Sequence, residues 1–448
     1  MQGQKQYQQQ LFYYFDIESL IPRNHLLRKI DKCIDLSFIR DLTESFYCSN
    51  NGRPSIDPEI FFRIVLVGYF YNIQYDRQLC EEIQYNLAYR WFCKLSLEDT
   101  VPDHSSLTRI RDRLGVNIFQ QFFNKIIEQC KEYGLVKSDI DVMTDSTLIN
   151  ANASIDSMMP KNNESQEETT KTVSKKINYK KISNKTHIST TDPDSTLSFK
   201  KGKSQGLKYK AHMTIDTESR VILDTKITTG ACHDSQVYVE QLQNVIENHD
   251  IHISKAIADR AYGSGESLQS LIDHGIEPII PLFSGKSGSI VGEADGFIYE
   301  EDQDRYRCSA GNYLTPFPSK LDDGRIGYRL SGKICKNCPI QQSCKATVLK
   351  HHMRLIRRHP HQKLFEHFLV KMKTEAFYLR MTERFWKMEG TISEAKNRHC
   401  LSRAKYRGMK KMQIQAYMSA SVQNMKRLIV AFLYLMFLLL ILKKVSKK

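Results

Sequence analysis

Three acidic residues, far apart in the chain, have the right types to do chemistry together. Asp145 lies in IDVMTDSTLINANAS, residues 140–154; Asp259 lies in HISKAIADRAYG; Glu389 lies in RFWKMEGTISEAKNR. Breaking or exchanging a phosphodiester needs charge stabilisation at the attacking and the leaving oxygen. Two divalent cations about 3.5–4 Å apart supply it. Hard cations such as Mg²⁺ take oxygen ligands, so two aspartates and a glutamate form a sufficient set. Any one of them alone means little, because most carboxylates are solvated, cap a helix or sit in a turn. The question is whether the chain brings them together.

The elements around them say how it could. Around Asp145 apolar and acidic residues alternate, which reads as a strand ending at that carboxylate; the small polar residues after it do not extend a buried strand. YKAHMTIDT and RVILDTKITT read as a hairpin turning at Glu218-Ser219. A helix over 234–247 follows, then a strand that delivers Asp259, a short helix in GESLQSLIDHG and a strand in EPIIPLF. Strand, hairpin, helix, strand, helix, strand is the order of an RNase-H-like α/β domain, a mixed five-stranded sheet flanked by helices. In that topology the first and fourth strands are neighbours, so Asp145 and Asp259 meet although 114 positions separate them. Glu389, Ser393 and Lys396 share one face of a helix, since seven residues are close to two turns.

Length and charge set the context. A chain of 448 residues is expected to hold two or three domains. Its formal net charge of +15 points to an anionic partner, nucleic acid or a membrane surface. Two stretches concentrate that charge. Lys161 to Lys210 holds 12 Lys and 5 acidic residues, a net of +7, with few large apolar side chains. It reads as a basic mobile loop over 155–205. Arg380 to Arg427 holds 12 Lys and Arg against 3 Glu, a net of +9.

The N-terminal part, 1–135, reads as helical. Leu26, Ile30, Cys33 and Ile34 make one stripe, and PEIFFRIVLVGYFY opens with Pro58 in a first turn. In VPDHSSLTRIRDRLG, Ser105 or Ser106 is the expected cap. Arg109, Arg111 and Arg113 then suit contact with DNA phosphate, and suit a solvated helix face equally well. The catalytic part occupies 136–283, and 372–428 supplies its C-terminal helices.

Between these, 284–371 is an insertion carrying Cys308, Cys335, Cys338 and Cys344. Cys-x2-Cys beside two more cysteines has the spacing of a structural Zn²⁺ site. Reduced thiols and a redox pair are the alternatives, and His351 and His352 are nearby substitute ligands. The other seven cysteines are scattered singly and read as small core residues. No secretory signal opens the chain, which places it in the cytoplasm with reduced thiols. The apolar tail, 429–448, includes a run over 428–442, about 22 Å long as a helix and short of a bilayer span. It reads as a buried or partner-seeking helix.

In the order GRPSIDPEIFFRIVLVGY, PDHSSLTRIRDRLG, TDSTLINANAS, TTDPDS, KYKAHMTIDTES, ITTGACHDSQ, AIADRAYGS and MEGTISEAKNRHCLSRAKYRGMKKMQIQAYMSASVQNMKRL, the chain resembles bacterial insertion-sequence transposases of the DDE class. The likeness runs from about residue 10 to 428. It implies an RNase-H-like catalytic domain using two Mg²⁺ (or Mn²⁺) ions, with Asp145, Asp259 and Glu389 as metal-binding triad. It implies cutting of double-stranded DNA at the ends of a mobile element and joining of the freed 3′ ends to target DNA. A homodimer that holds two element ends, near the nucleoid, is the matching expectation. Many relatives carry a Tyr, Arg, Glu, Lys signature; here Thr382 stands at the Tyr position and Phe385 at the Arg position. Lys396 keeps its place and Arg384 is the adjacent arginine. With Arg398, Arg403, Lys405, Arg407, Arg109, Arg111 and Arg113 they form the expected DNA-binding set. A nuclease of the same fold that cuts without joining, or a non-catalytic DNA-binding remnant, are the alternatives.

Overall fold

The computed structural model describes residues 16–48, 55–161, 182–198, 205–282, 291–320 and 325–445. The Gln-rich start, the Gly52-Arg53-Pro54 loop, most of the expected basic loop (162–181 and 199–204) and the last three residues lie outside the described residues.

Seven helices come first: α1 Ile17–Leu20, α2 Leu26–Cys33, α3 Phe38–Thr43, α4 Pro58–Phe70, α5 Asp76–Tyr85, α6 Leu87–Phe92 and α7 His104–Glu132. Asp57 caps α4 by accepting from the Glu59 N–H at 2.7 Å, with Pro58 in the first turn. Nearly all of α4 is buried, so Arg63 within it needs partners; it finds Glu59 at 2.8 Å and Asp31 at 2.7 Å. The cap of α7 is Asp103, which accepts from Ser105 N–H at 3.0 Å, rather than either serine. A carboxylate accepts more strongly than a hydroxyl at a helix N-terminus. α7 is two helical segments joined at a kink at Gly115, whose φ of +67° only glycine adopts freely.

The strands that follow are β1 Asp139–Asn150, β2 Met158–Pro160, β3 His187–Ser189, β4 Thr196–Ser198, β5 Gly206–Asp216 and β6 Ile222–Thr229. Then come α8 Ser235–His249, β7 His252–Ile257, α9 Gly265–Asp273 and β8 Glu277–Ile279. Across the main sheet the order is β6-β5-β1-β7-β8, and β4 also lies along β5, making six strands. β1 runs antiparallel to β5 and parallel to β7, and β7 runs parallel to β8. The two parallel steps use α8 and α9 as crossovers.

Two expectations are corrected here. β1 does not end at Asp145; it continues to Asn150, paired with β5 from Val142↔Asp216 to Asn150↔Lys208. Its polar second half is held by the ladder to β5, so it needs no apolar alternation. The outer parts of the expected 155–205 loop are ordered: β2 pairs β3, and β4 pairs β5.

The insertion folds as a second sheet, β13-β14-β12-β11-β10-β9. Its strands are β9 Phe297–Glu300, β10 Arg305–Cys308, β11 Tyr313–Lys320, β12 Ile326–Leu330, β13 Thr347–Val348 and β14 Arg354–Arg358, with α10 Gly332–Lys336 between β12 and β13. Its core is separate from the main one. The main core, by contrast, runs without a break from α2 and α4 through the sheet, so residue 135 is not a boundary in the packing.

Three helices close the chain: α11 Gln362–Lys371, α12 Glu375–Arg398 and α13 Met409–Val445. α13 covers the edge strand β6 and blunts it. Asn424 binds both the Ile222 N–H and its C=O at 2.8 Å, and Gln413 binds Ile227 N–H at 2.7 Å and Thr225 C=O at 2.6 Å. Of the two readings of the tail, buried or partner-seeking, burial fails beyond Ile429: Val430, Tyr434 and Phe437 are exposed, while Phe432 packs on Tyr133 at 6.1 Å. Among the described residues no helix is long and apolar enough to cross a membrane.

Candidate active site

The pairing of β1 with β7 ends at Met143↔Ile257. Two residues further along each strand direction come Asp145 and Asp259. Equal offsets from the last pair put both residues just past the end of the parallel β1–β7 pairing, on the carboxyl side of the sheet where open α/β sheets bind ligands. Asp145 is still in strand, opposite Met213 of β5. Asp259 has left it and accepts from the Ala261 N–H at 2.9 Å, capping a 3₁₀ turn.

α12 lies across this end. Arg380 reaches Asp141, and Arg384 reaches Asp145 Oδ2 at 2.8 Å. Lys387 donates to Thr217 C=O at 2.5 Å, and Lys396 donates to Leu148 C=O at 2.8 Å. α12 is capped at its start and tied to the N-terminal helices at its far end. Thr374 caps its start, accepting from Phe377 N–H at 3.3 Å. At its far end, His399 Nδ1 contacts Tyr69 C=O at 2.8 Å, and the Cys400 N–H donates to Asn72 at 2.9 Å. The N-terminal helices therefore position the helix that carries Glu389.

Asp145 is the electrostatically loaded group. Burial pushes its carboxyl up to about 6. Arg384 pulls it back down, Asp259 and Asp234 push it further up, and the Ser146 N–H at 2.7 Å favours the charged form. Tyr262, wholly buried, feels Asp234, Asp145 and Asp259 together, and its hydroxyl is held well above its ordinary range, first by burial. Asp234 is paired with Lys210 at 2.9 Å. Buried His212 beside it is pushed down to about 4, chiefly by burial, which keeps it neutral.

α12 carries three glutamates inside the basic stretch. Glu383 is taken by Arg380 and Lys387. Glu394 is taken by Lys426 at 2.9 Å, with Arg427 and His399 beside it, and lies at about 2. Glu389 is exposed and has no hydrogen-bond or ion-pair partner among the described residues. Asp145 and Asp259 share one field, while Glu389 is not closed onto them. Among the described residues no three His, Cys, Asp or Glu side chains are gathered at metal-holding distance.

Two segments of the chain match known families. Residues 15–113 match the family described as Transposase domain (DUF772), and residues 307–429 match Transposase DDE domain. The chain carries transposase domains. The second match spans α12 with Glu389; Asp145 and Asp259 lie between the two matched segments. Solved structures with some likeness include a piggyBac transposase synaptic complex with hairpin DNA, at 10% identity over 90% of this chain and 76% of that one, with a TM-score of 0.31. Another is the Mos1 transposase paired-end complex with the left transposon end, at 10% identity over 52% of this chain and 62% of that one, with a TM-score of 0.16. Overlays this loose carry no argument.

The basic residues of the chain divide sharply. Arg111 is buried, paired with Asp76 at 2.8 Å and stacked over Tyr406 at 4.3 Å. The side chain of Lys405 is covered as well, donating to Ile73 C=O at 3.0 Å and lying over Tyr69 at 5.0 Å. Arg384 is spent on Asp145. These three were expected to face DNA and instead hold the fold or the site. Arg109, Arg113, Arg398, Arg403 and Arg407 are exposed.

Sequence reading missed Asp192, Asp194, Asp234 and Lys210. Asp194 accepts from Met409 N–H at 2.7 Å, and Asp192 accepts from Gly408 N–H at 3.1 Å and Tyr209 O–H at 2.6 Å, so the TTDPDS motif caps α13. The signal was present as an Asp-rich turn, but its helix lies more than 200 residues away. Asp234 and Lys210 stood in quoted motifs and looked like ordinary surface charges.

Proposed function

We propose that the protein is a DDE transposase. On this reading it cleaves double-stranded DNA at the ends of an insertion sequence and joins the freed 3′ ends to target DNA inside the cell. The observation that carries the reading is the matched offset of Asp145 and Asp259 from the last β1–β7 pair, on a chain with two transposase domains. The strand order β6-β5-β1-β7-β8 supports an RNase-H-like catalytic domain, whose last strand β8 is followed by the insertion and which is completed by α12 and α13.

The donor set fits a hard divalent cation. Asp145 and Asp259 offer carboxylate oxygens in one field, and Glu389 is the glutamate within the basic stretch of α12 whose oxygens are not committed to a partner among the described residues. These three would hold Mg²⁺ or Mn²⁺, which when bound supplies charge stabilisation for the attacking and leaving oxygens. The chain's own groups prepare that place. Arg384 balances Asp145, the Ser146 N–H orients its other oxygen, and Tyr262 excludes water beneath both aspartates. Lys396, anchored to β1 at Leu148, carries a positive charge alongside the strand that delivers Asp145. Exposed Arg398, Arg403 and Arg407 extend a basic surface suited to DNA phosphates. A homodimer would bring two element ends together.

Incubation with Mg²⁺, a labelled element-end duplex and a plasmid tests the proposal. Cleaved ends joined to plasmid are expected. Cleavage without a joined product would replace the reading with a nuclease, and binding without cleavage would leave a DNA-binding remnant.

A further inference from the structure

The insertion holds a feature that cleavage chemistry does not use. Cys308, Cys335, Cys338 and Cys344 all line one cavity of about 20 Å³, room for roughly one water-sized sphere. They come from separate places. Cys308 ends β10 at a tight turn, where its C=O accepts from Gly311 N–H at 2.8 Å and its N–H donates to Asn312 C=O at 2.9 Å. Gly311 takes a φ of +76° there. Cys335 lies in α10, Cys338 in the turn after it, and Cys344 in the loop before β13. All four are free thiols. They surround the void without closing to ligand distance.

Two further observations point the same way. The core of this module is small: Val291, Phe297, Tyr306, Leu314, Tyr328, Leu330, Cys335, Ala346 and Ile356, with Cys308 and Cys344 packed on it. Modules of this size usually need a staple beyond their apolar core. Arg354 lines the same cavity, is itself buried, and holds the Cys-bearing loop through the C=O groups of Gln341 at 2.9 Å and Ala346 at 3.3 Å. Four thiolates around a dication leave a net negative charge, and a buried guanidinium beside them offsets it.

We propose that these four cysteines bind one structural Zn²⁺ that staples the insertion sheet, tying the β10–β11 turn to the α10 segment. Four sulfur ligands from a Cys-x2-Cys pair and two single cysteines suit tetrahedral zinc. His351 and His352 sit in a neighbouring turn but do not line the cavity. Such a site shapes the surface that the insertion presents beside α11, independently of catalysis.

The test uses the full chain. Purified protein is assayed for metal by mass spectrometry, and its thiols are alkylated with and without a zinc chelator. About one zinc per chain is expected, with Cys308, Cys335, Cys338 and Cys344 protected until the chelator is added. Exposed Cys48 reacts equally in both conditions and serves as the internal control. Replacement by Co²⁺ should give the absorption of a tetrahedral thiolate site. Cys344→Ser should lose the zinc, and a His351→Ala, His352→Ala double variant should keep it. A folded wild-type chain without zinc, whose four thiols alkylate at the same rate with added zinc or chelator, overturns the proposal. Loss of zinc in the histidine variant overturns the four-cysteine assignment. If Cys344→Ser fails to fold, the wild-type chelator comparison still decides.

Discussion

The end of the main sheet and the cysteine face of the insertion both gather polar groups that could take a metal, but on opposite foundations. Asp145 and Asp259 sit on strands rooted in a core that continues into the N-terminal helices. The partner of Asp145, Arg384, comes from a helix 239 positions away that is tied to the N-terminal helices at its far end. Such a scaffold tolerates a carboxyl raised to about 6 and, on α12, a glutamate with no partner among the described residues. The insertion has a core of its own with few large side chains. Its four thiols lie within 37 consecutive residues. A large core can carry electrostatic tension and keep it available for chemistry; a small one needs its polar cluster to stabilise the fold.

The sharpest way to break that comparison is to neutralise one acidic group. Asp145→Asn, Asp259→Asn or Glu389→Gln should each abolish cleavage, a loss of at least about a thousandfold if charge stabilisation is the main catalytic effect. Binding to element-end DNA should stay nearly intact, measured by gel shift. Full cleavage by Asp259→Asn would remove the matched-offset argument, and full cleavage by Glu389→Gln would point to another third ligand.

A smaller but still large effect belongs to Arg384. Its side chain is 9% exposed and that of Asp145 is 20% exposed, so Arg384→Met leaves a buried carboxyl without its cation. Removing one partner of a buried pair costs about 3–5 kcal/mol, discounted here to about 2–3 kcal/mol for the exposed fifth of Asp145. Urea unfolding should show this, and adding Mg²⁺ should recover part of it. A loss under about 0.5 kcal/mol, in the range of an exposed pair, would mean that the α12–β1 seam is a surface contact.

Much of the main sheet was legible in advance because its strands alternate and its helices fall between them. Asp145 was misplaced at a strand end because Ser146, Thr147 and Asn150 do not look buried. They are held by β5, a long-range partner that no local pattern reveals. The ordered β2–β3 and β4–β5 pairs were hidden in the same way, inside a stretch rich in Lys and Ser. The insertion's sheet was not foreseen, since its strands are short and its apolar residues few. The charge excess was legible as a total but not as a division: Arg111, Lys405 and Arg384 differ from Arg398 and Arg403 only in what the distant chain places beside them.

Acid should separate the two regions by a shift of a few degrees. The Asp145 carboxyl lies at about 6 when folded, above an ordinary carboxylate near 3.9 when unfolded. Its proton therefore favours the folded state below about pH 4, and that contribution is lost as pH rises through 6. A divalent cation competes with the same proton. Stabilisation by Mg²⁺ should therefore grow between pH 5 and 7.5 in wild type and stay flat in Asp145→Asn, read by thermal melting. The same pH-dependent gain in Asp145→Asn would place the ion elsewhere. Asp224, buried on β6 at about 7, gives a metal-independent control: its contribution is lost as pH rises to 7, and Asp224→Asn should flatten that fall.

The smallest effects concern the exposed arginines, and they test whether the basic excess divides as the structure places it. Arg398→Ala and Arg403→Ala should weaken DNA binding modestly and alike for all sequences. Each should lower the salt slope of log K by about 0.9 if it meets one phosphate. Arg111→Ala should leave that slope unchanged, because its guanidinium is paired with Asp76 and stacked on Tyr406 inside the protein. Its cost should appear in unfolding, where a buried ion pair and a cation–π contact are lost together. Should Arg111→Ala lower the salt slope without loss of stability, α7 must open on DNA, and the buried and exposed cations would form one surface.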